Sequence, residues 1–182
     1  MSGQEYRIDG AGDVDRSAPL KFSFDGRQYE GYRGDTLASA LLANGVHLVG
    51  RSFKYHRPRG IMTAGSEEPN ALIQLGSGNR TDPNLRAPRI ELHDGLVAAS
   101  QNRWPSLKVD IGSINNLLHR FLPSGFYYKT FMWPASWWLK YEHWIRRAAG
   151  LGKAPTGRDP DRYEKRHGHA DVLVVGGGPA GL

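Results

Sequence analysis

Three glycines near the end of the chain stand in the spacing that dinucleotide-binding turns use. Gly176, Gly178 and Gly181 make G-x-G-x-x-G directly after the apolar run 171–175, with Pro179 and Ala180 leading into what should be a helix. Each glycine has a physical task in such a turn. Gly176 permits the sharp strand-to-helix turn, Gly178 lets the backbone approach a pyrophosphate, and Gly181 lets the helix pack on the strand. The N–H groups and dipole of the helix start then favour the phosphates. The expected binding set is Gly176, Gly178, Pro179, Ala180 and Gly181. The pattern also needs that helix, a second strand and an acidic residue about 20 positions further on. The chain therefore reads as the N-terminal piece of a longer polypeptide whose dinucleotide domain begins here.

A second chemical stretch runs from residue 50 to 75, GRSFKYHRPRGIMTAGSEEPNALIQL. Arg51, Lys54, His56, Arg57 and Arg59 alternate there with Phe53 and Tyr55. Such a run could hold phosphates and stacked bases, could be a solvated loop, or could face an anionic cofactor or another subunit. It is too local for a continuous basic stripe, so nucleic acid is not the expected partner. Arg51, Lys54, Arg57 and Arg59 are the candidate contacts to a phosphate or a neighbouring subunit.

Other chemistry is scarce. The chain has no cysteine, which removes disulfides, thiolate metal sites and cysteine-ligated clusters from consideration. The seven histidines show no metal-ligand spacing. Glu67 and Glu68 could form an acid pair but read better as a solvated turn, and Ser100 and Ser106 have no evident base beside them. No catalytic and no metal-binding residue is expected.

The elements that must position these groups follow from patterning. Leu20, Phe22 and Phe24 alternate with polar neighbours as a strand, Asp25-Gly26 is a hairpin turn signal, and 28–32 is the return strand. A helix follows in GDTLASALLANGV, with Asp35 as N-cap and Asn44-Gly45 as its stop. Residues 71–75 read as a short strand and GSGNRTDPN as a polar loop. Residues 89–92 and 96–99 read as a second hairpin about Asp94-Gly95. INNLLHRFL is a candidate helix. Trp137, Tyr141, Trp144, Ile145 and Ala148 fit one face of a helix that starts at Pro134, ends by Gly150 and packs on a larger body. The divisions are a flexible lead-in over 1–18, a small domain over 19–105, an aromatic helical connector with a charged linker over 106–168, and the start of a dinucleotide-binding domain from 169.

With 182 residues, 39% of them hydrophobic, the chain can bury a core. A net charge of +6 favours anionic partners without choosing one. The polar start and the lack of a long apolar run point to a cytoplasmic protein with no membrane partner.

The order of hairpin, GDTLASALLANGV helix and basic loop resembles the ferredoxin-like (β-grasp) domain at the front of amine-oxidising flavoenzyme subunits. Such domains carry C-x4-C-x2-C and a fourth Cys further on. In the natural register those places fall to Thr63, Glu68, Ala71 and a position near Ser100, so the resemblance implies a scaffold kept and an iron–sulfur cluster lost. RSFKYHRPRGIMTAGSEEPNALIQL, ASQNRWPSL, GFYYKTFMWP and ADVLVVGGGPAGL, in this order, resemble the α (large) subunits of heterotetrameric sarcosine oxidases. That family implies oxidative demethylation of sarcosine to glycine with peroxide and, with tetrahydrofolate, methylene-tetrahydrofolate. It implies NAD at the glycine motif, FAD and FMN in the complex, and β, γ and δ subunits as partners. The fragment alone would be inactive. The α subunits of related opine, proline or cyanide-forming dehydrogenases are the alternative, and a binding module using the basic loop is another. The fold expected is α+β: a ferredoxin-like domain without cluster cysteines, an aromatic helical connector, and the first strand of a Rossmann-type FAD/NAD(P)-binding domain.

Overall fold

The computed structural model describes residues 4–121, 125, 133–148 and 150–176. Strands β1 (Asp15–Phe24) and β2 (Arg27–Arg33) form the expected antiparallel hairpin. Asp25 and Gly26 turn it with φ of +50° and +78°, the pair of positive values that matches the twist of two-residue hairpins. Phe22 and Phe24 point inward and are buried. β2 passes closely under the following helix at Gly31, where a Cβ would collide with Leu92 and Ala40.

Helix α1 (Leu37–Ala43) buries Leu37, Ala40 and Leu41 completely. Its N-cap is Thr36 rather than Asp35. Ser39 N donates to Thr36 Oγ1 at 3.2 Å and Thr36 N donates to Ser39 Oγ at 2.9 Å, a capping box closed by serine. Asp35 is buried one step earlier, where it serves a different network. Asn44 is the C-cap and Gly45 follows at φ +72°, as the Asn-Gly signal suggests.

Strands β3 (Gly50–Arg51) and β4 (Pro58–Arg59) form a short ribbon that carries the basic loop at its tip. β5 (Leu72–Leu75), β6 (Asp82–Arg86) and β7 (Leu96–Ser100) complete a five-stranded sheet in the order β2-β1-β7-β5-β6. β7 runs parallel to β1 and antiparallel to β5, so the sheet is mixed. The core lies between this sheet and α1: Phe22, Phe24, Leu37, Leu41, Val49, Ile73 and Leu96 form one cluster. The architecture is an α+β fold.

Several sequence expectations change here. The second hairpin does not form. The Asp94-Gly95 turn exists, but Ala87–Arg89 is a 3-10 turn, and its continuation is held by α1: Leu37 N donates to Ile90 O and Leu92 N to Asp35 O. β7 is thereby free to slot between β1 and β5. The polar loop contains edge strand β6, which Pro83 marks as a strand without a full ladder. The lead-in is partly structured, since β1 starts at Asp15 and Tyr6 N donates to Ala43 O. Leu107 and Asp110, just past position 105, are also buried.

INNLLHRFL gives 3-10 turns at Ile111–Asn116 and His119–Phe121 rather than an α-helix. Ile114, Asn115 and Asn116 are weak helix formers, and Asp110 caps a tight turn through Gly112 N at 3.2 Å. Helix α2 (Trp138–Ala148) follows a 3-10 turn at Ala135–Trp137. Trp137 of that turn and Trp138, Leu139 and Trp144 of the helix are exposed. No helix among the described residues is long and apolar enough to cross a membrane.

Candidate functional site

The basic loop divides into one arginine that holds the fold and others that face outward. Arg51 is half-buried and spends its guanidinium on backbone: Nε donates to Leu107 O at 2.9 Å, Nη1 to His56 O at 3.0 Å, and Nη2 also to Leu107 O. Asn102 Nδ2 donates to Ser52 O at 2.9 Å and Arg51 O at 3.2 Å. His56, at φ +51°, places Nδ1 2.6 Å from Oδ2 of buried Asp110, whose other oxygen accepts from Trp104 N at 3.0 Å. The loop is thus strapped to segment 102–112. Arg57 and Arg59 are exposed. Arg57 stacks over Tyr55 at 4.8 Å and donates from Nε to Asn116 Oδ1 at 3.0 Å, while the Lys54 ammonium lies 5.0 Å from the same ring. Arg51, Tyr55, His56, Arg57, Ile114 and Leu117 line a surface cleft of about 560 Å³. An anion there would meet Arg57 first.

Three of the four expected cluster-ligand positions meet at one point. Glu68 is fully buried, which corrects the solvated-turn reading; its neighbour Glu67 is the exposed one. Glu68 Oε2 accepts from Met62 N at 2.8 Å, Thr63 N at 2.6 Å and Thr63 Oγ1 at 3.3 Å. Oε1 accepts from Asn70 N at 2.8 Å and Ala71 N at 3.2 Å. Ser100 serves elsewhere: its Oγ donates to Asp25 Oδ2 at 2.7 Å, and Arg103 Nη2 donates to Asp25 Oδ1 at 2.8 Å.

Burial pushes the Glu68 carboxyl up, but backbone N–H donors from Thr63, Asn70, Met62 and Ala71 outweigh it and leave the group below the usual glutamate range. A carboxyl that is more acidic folded than unfolded contributes stability above its unfolded pKa of about 4.3, and that contribution is lost as pH falls through the folded value. Glu68→Gln should therefore be less stable than the parent near neutrality, with a gap that narrows under acid. Unfolding midpoints at about pH 6 and about pH 3 check this. An equal gap at both would mean that Glu68 is not ionised in the fold.

The glycine motif is only partly within the described residues. Gly176 is exposed at φ +112°, and Gly178, Pro179, Ala180 and Gly181 lie outside them. Residues 171–175 form no strand, and Val172, Leu173, Val174 and Val175 are exposed. Among the described residues no group of three or more His, Cys, Asp or Glu is placed to hold a metal. Ser106 bonds only its own turn, through Val109 N at 3.1 Å.

Sequence reasoning gave Asp25 a turn and Asp35 a helix cap and did not single out Asp110; it missed that all three tie distant segments together. Their signal is faint: Asp25 precedes a glycine, Asp35 precedes the capping Thr36 and Asp110 stands two residues before Gly112, so each looks like local turn chemistry.

Comparison with known proteins gives a family match over the small domain first. Residues 17–103 match a family described as "2Fe-2S iron-sulfur cluster binding domain". That match stands against the expectation that no iron–sulfur cluster belongs to this domain, because the family it resembles is described as cluster-binding. The residues present do not fit a thiolate-held cluster, since the chain has no cysteine and a carboxylate saturated by backbone N–H groups fills the ligand position at 68.

Over nearly its whole length the chain is a close homologue of sarcosine oxidase subunit alpha. The protein of that name from Rhizobium meliloti (strain 1021) is 65% identical over 178 residues, covering 97% of this chain and 18% of the relative. The one from Corynebacterium sp. (strain U-96) is 36% identical over 93% of this chain and 13% of its own length. The chain therefore spans less than a fifth of these relatives. A crystal structure of L-proline dehydrogenase from P. horikoshii is 28% identical over 50% of this chain and 17% of that one, with a TM-score of 0.40.

Proposed function

We propose that this chain is the N-terminal part of a sarcosine oxidase α subunit, working in a β-, γ- and δ-containing heterotetramer in the cytoplasm. The observation that carries the reading is the 65% identity over 97% of the chain to a sarcosine oxidase subunit alpha. The complex would demethylate sarcosine oxidatively to glycine, releasing peroxide, and would form methylene-tetrahydrofolate when tetrahydrofolate is present. NAD would sit at the motif of Gly176, Gly178 and Gly181, and the flavins FAD and FMN elsewhere in the assembly.

The part described here contributes no catalytic group to that reading. Its task is architectural. The ferredoxin-like domain offers exposed Arg57 and Arg59 to a phosphate or an acidic subunit surface. Exposed Trp137, Trp138, Leu139 and Trp144 suit burial against the remainder of a larger body. Residues 171–175 would become the first strand of the dinucleotide domain once neighbouring strands pair with them.

The test is co-expression of the full-length polypeptide with its partner subunits, followed by copurification, a flavin spectrum and a sarcosine-dependent peroxide assay. A complex without flavin or sarcosine turnover would sink the assignment. In the same complex, Arg57→Ala with Arg59→Ala is expected to lower flavin or NAD content, or subunit recovery, by several-fold. Unchanged cofactor content, NAD binding and assembly would remove these arginines from any contact role.

A further inference from the structure

The segment around Glu68 has the construction of a ligand site, although its occupant is covalently part of the chain. Backbone N–H groups of Met62, Thr63, Asn70 and Ala71 and the Thr63 hydroxyl converge on a volume that solvent does not reach. These donors come from both flanks of Glu68, five and six residues before it and two and three after it. The chain closes on itself around a carboxylate. Both oxygens are fully used, and among the described residues no buried side-chain polar atom is left unpaired.

Removing an isolated charge from water is expensive, and such a burial is tolerated only when hydrogen bonds replace the lost hydration. The dependence runs the other way as well. Four backbone N–H groups aimed at one point repel one another's dipoles and need an anion between them. No regular element supplies partners for this stretch, which lies between β4 and β5 outside the five-stranded sheet.

We propose that residues 61–71 form a carboxylate-binding cradle for which the Glu68 side chain is the built-in ligand, and that a free monocarboxylate can replace it. The stereochemistry makes the probe specific. Glu68→Ala deletes Cγ and the carboxylate, which together are the heavy atoms of acetate. The vacated space has the shape, charge preference and donors for that ion. The inference is independent of the enzyme the chain serves.

The experiment is thermal unfolding of the whole chain as Glu68→Ala, in sodium acetate and in sodium chloride of equal ionic strength. In chloride the variant is expected to melt lower than the parent by on the order of 10 °C, because several buried donors lose their acceptor. Acetate at about 1,000 times its dissociation constant stabilises a one-site protein by the equivalent of a 1,000-fold shift in the folding equilibrium, so the midpoint should climb with acetate concentration. The parent, and Leu41→Ala as an equally weakened control, should respond to acetate no more than to chloride. A rise in Glu68→Ala alone supports the cradle. Equal responses to the two salts, or a Glu68→Ala midpoint equal to the parent's, overturn it.

If Glu68→Ala does not fold in chloride, refolding in acetate but not in chloride, followed by far-UV circular dichroism, supports the same conclusion. Glu68→Gln keeps the shape and one acceptor but turns an NH2 group toward backbone donors. It should fold with a midpoint below the parent's and no acetate response, since its cradle is full. A glutamine variant as stable as the parent would overturn the proposal.

Discussion

Replacing Asp35 with alanine is expected to destabilise the chain by about 3–5 kcal/mol, because it breaks a buried charge pair and takes the acceptor from two further donors. Asp35 is 1% exposed. Its carboxylate accepts from Arg7 Nη2 at 2.6 Å and Nη1 at 3.2 Å, from Ser39 Oγ at 2.8 Å and from Tyr32 N at 2.9 Å. The Arg7 guanidinium also lies 5.1 Å from the Tyr32 ring. One side chain thus joins the N-terminal segment, the end of β2 and the first turn of α1. Without it the arginine must be resolvated, and the N–H of Tyr32 loses its acceptor beneath the helix. Chemical denaturation should show a lower midpoint at unchanged slope. Arg7→Ala should cost less, because Asp35 keeps Ser39 and Tyr32, and the double variant should lose less than the sum of the two. Additive losses, or an Asp35→Ala effect below about 1 kcal/mol, would show that the network is not coupled.

How much of this architecture could be read from the chain depends on whether the deciding contact is local. Asp25-Gly26 and Asn44-Gly45 announce themselves because the backbone conformation they need is intrinsic to those residue types. The helix between Asp35 and Asn44 is legible for the same reason, though its cap moved by one residue: Asp35, a good cap in isolation, is drawn into the Arg7 network and Thr36 caps instead. The sheet was less legible. Nothing local tells the stretch from Leu96 that its partner is β1, more than 70 residues earlier, rather than the segment just across the Asp94-Gly95 turn. Asp94 itself points to the answer, since its Oδ1 accepts from Lys21 N at 2.9 Å. β6 was hidden by its composition, because Asp-Pro-Asn reads as loop wherever the fold does not require an edge.

The candidate site divides in the same way. The basic loop stands out by charge density, but charge does not reveal direction. Arg51 turns inward to carbonyls 56 and 57 residues away, while Arg57 turns outward, and both look alike in a string of letters. Glu68 was misjudged because adjacent carboxylates are usually solvated. Its burial depends on four N–H groups that every residue carries, so no residue type advertises the cradle. The expectation about the cluster failed differently. Missing cysteines describe the ligands and not the scaffold, and residues 17–103 still match a family described as cluster-binding even though the ligand positions hold other chemistry.

Phe22→Ala is expected to be among the most damaging single substitutions in the sheet, at about 3–5 kcal/mol. Phe22 is 1% exposed and sits on β1, the strand flanked by β2 and β7. It pairs with Tyr29 on one side and Leu96 on the other, and its ring stacks on Tyr29 at 5.7 Å with planes 29° apart. Deleting the ring removes the contact between two strand pairings and opens a void facing α1, which rigid neighbours on three sides cannot fill. A domain of this size is stable by only about 5–15 kcal/mol, so the loss is a large share of the total and should lower the melting temperature by roughly 15–30 °C. Val97, on neighbouring β7 but 47% exposed, provides the internal comparison. Val97→Ala changes a side chain that keeps solvent on one side, and should stay within about 0.5 kcal/mol of the parent. If the two variants melted together, the stability of the sheet would not come from its inner face, and the core placed between β1, β7 and α1 would be wrong. If Phe22→Ala alone collapses, the fold that presents Arg57 and Arg59 and encloses Glu68 rests on hydrophobic packing of the inner face of the sheet against α1.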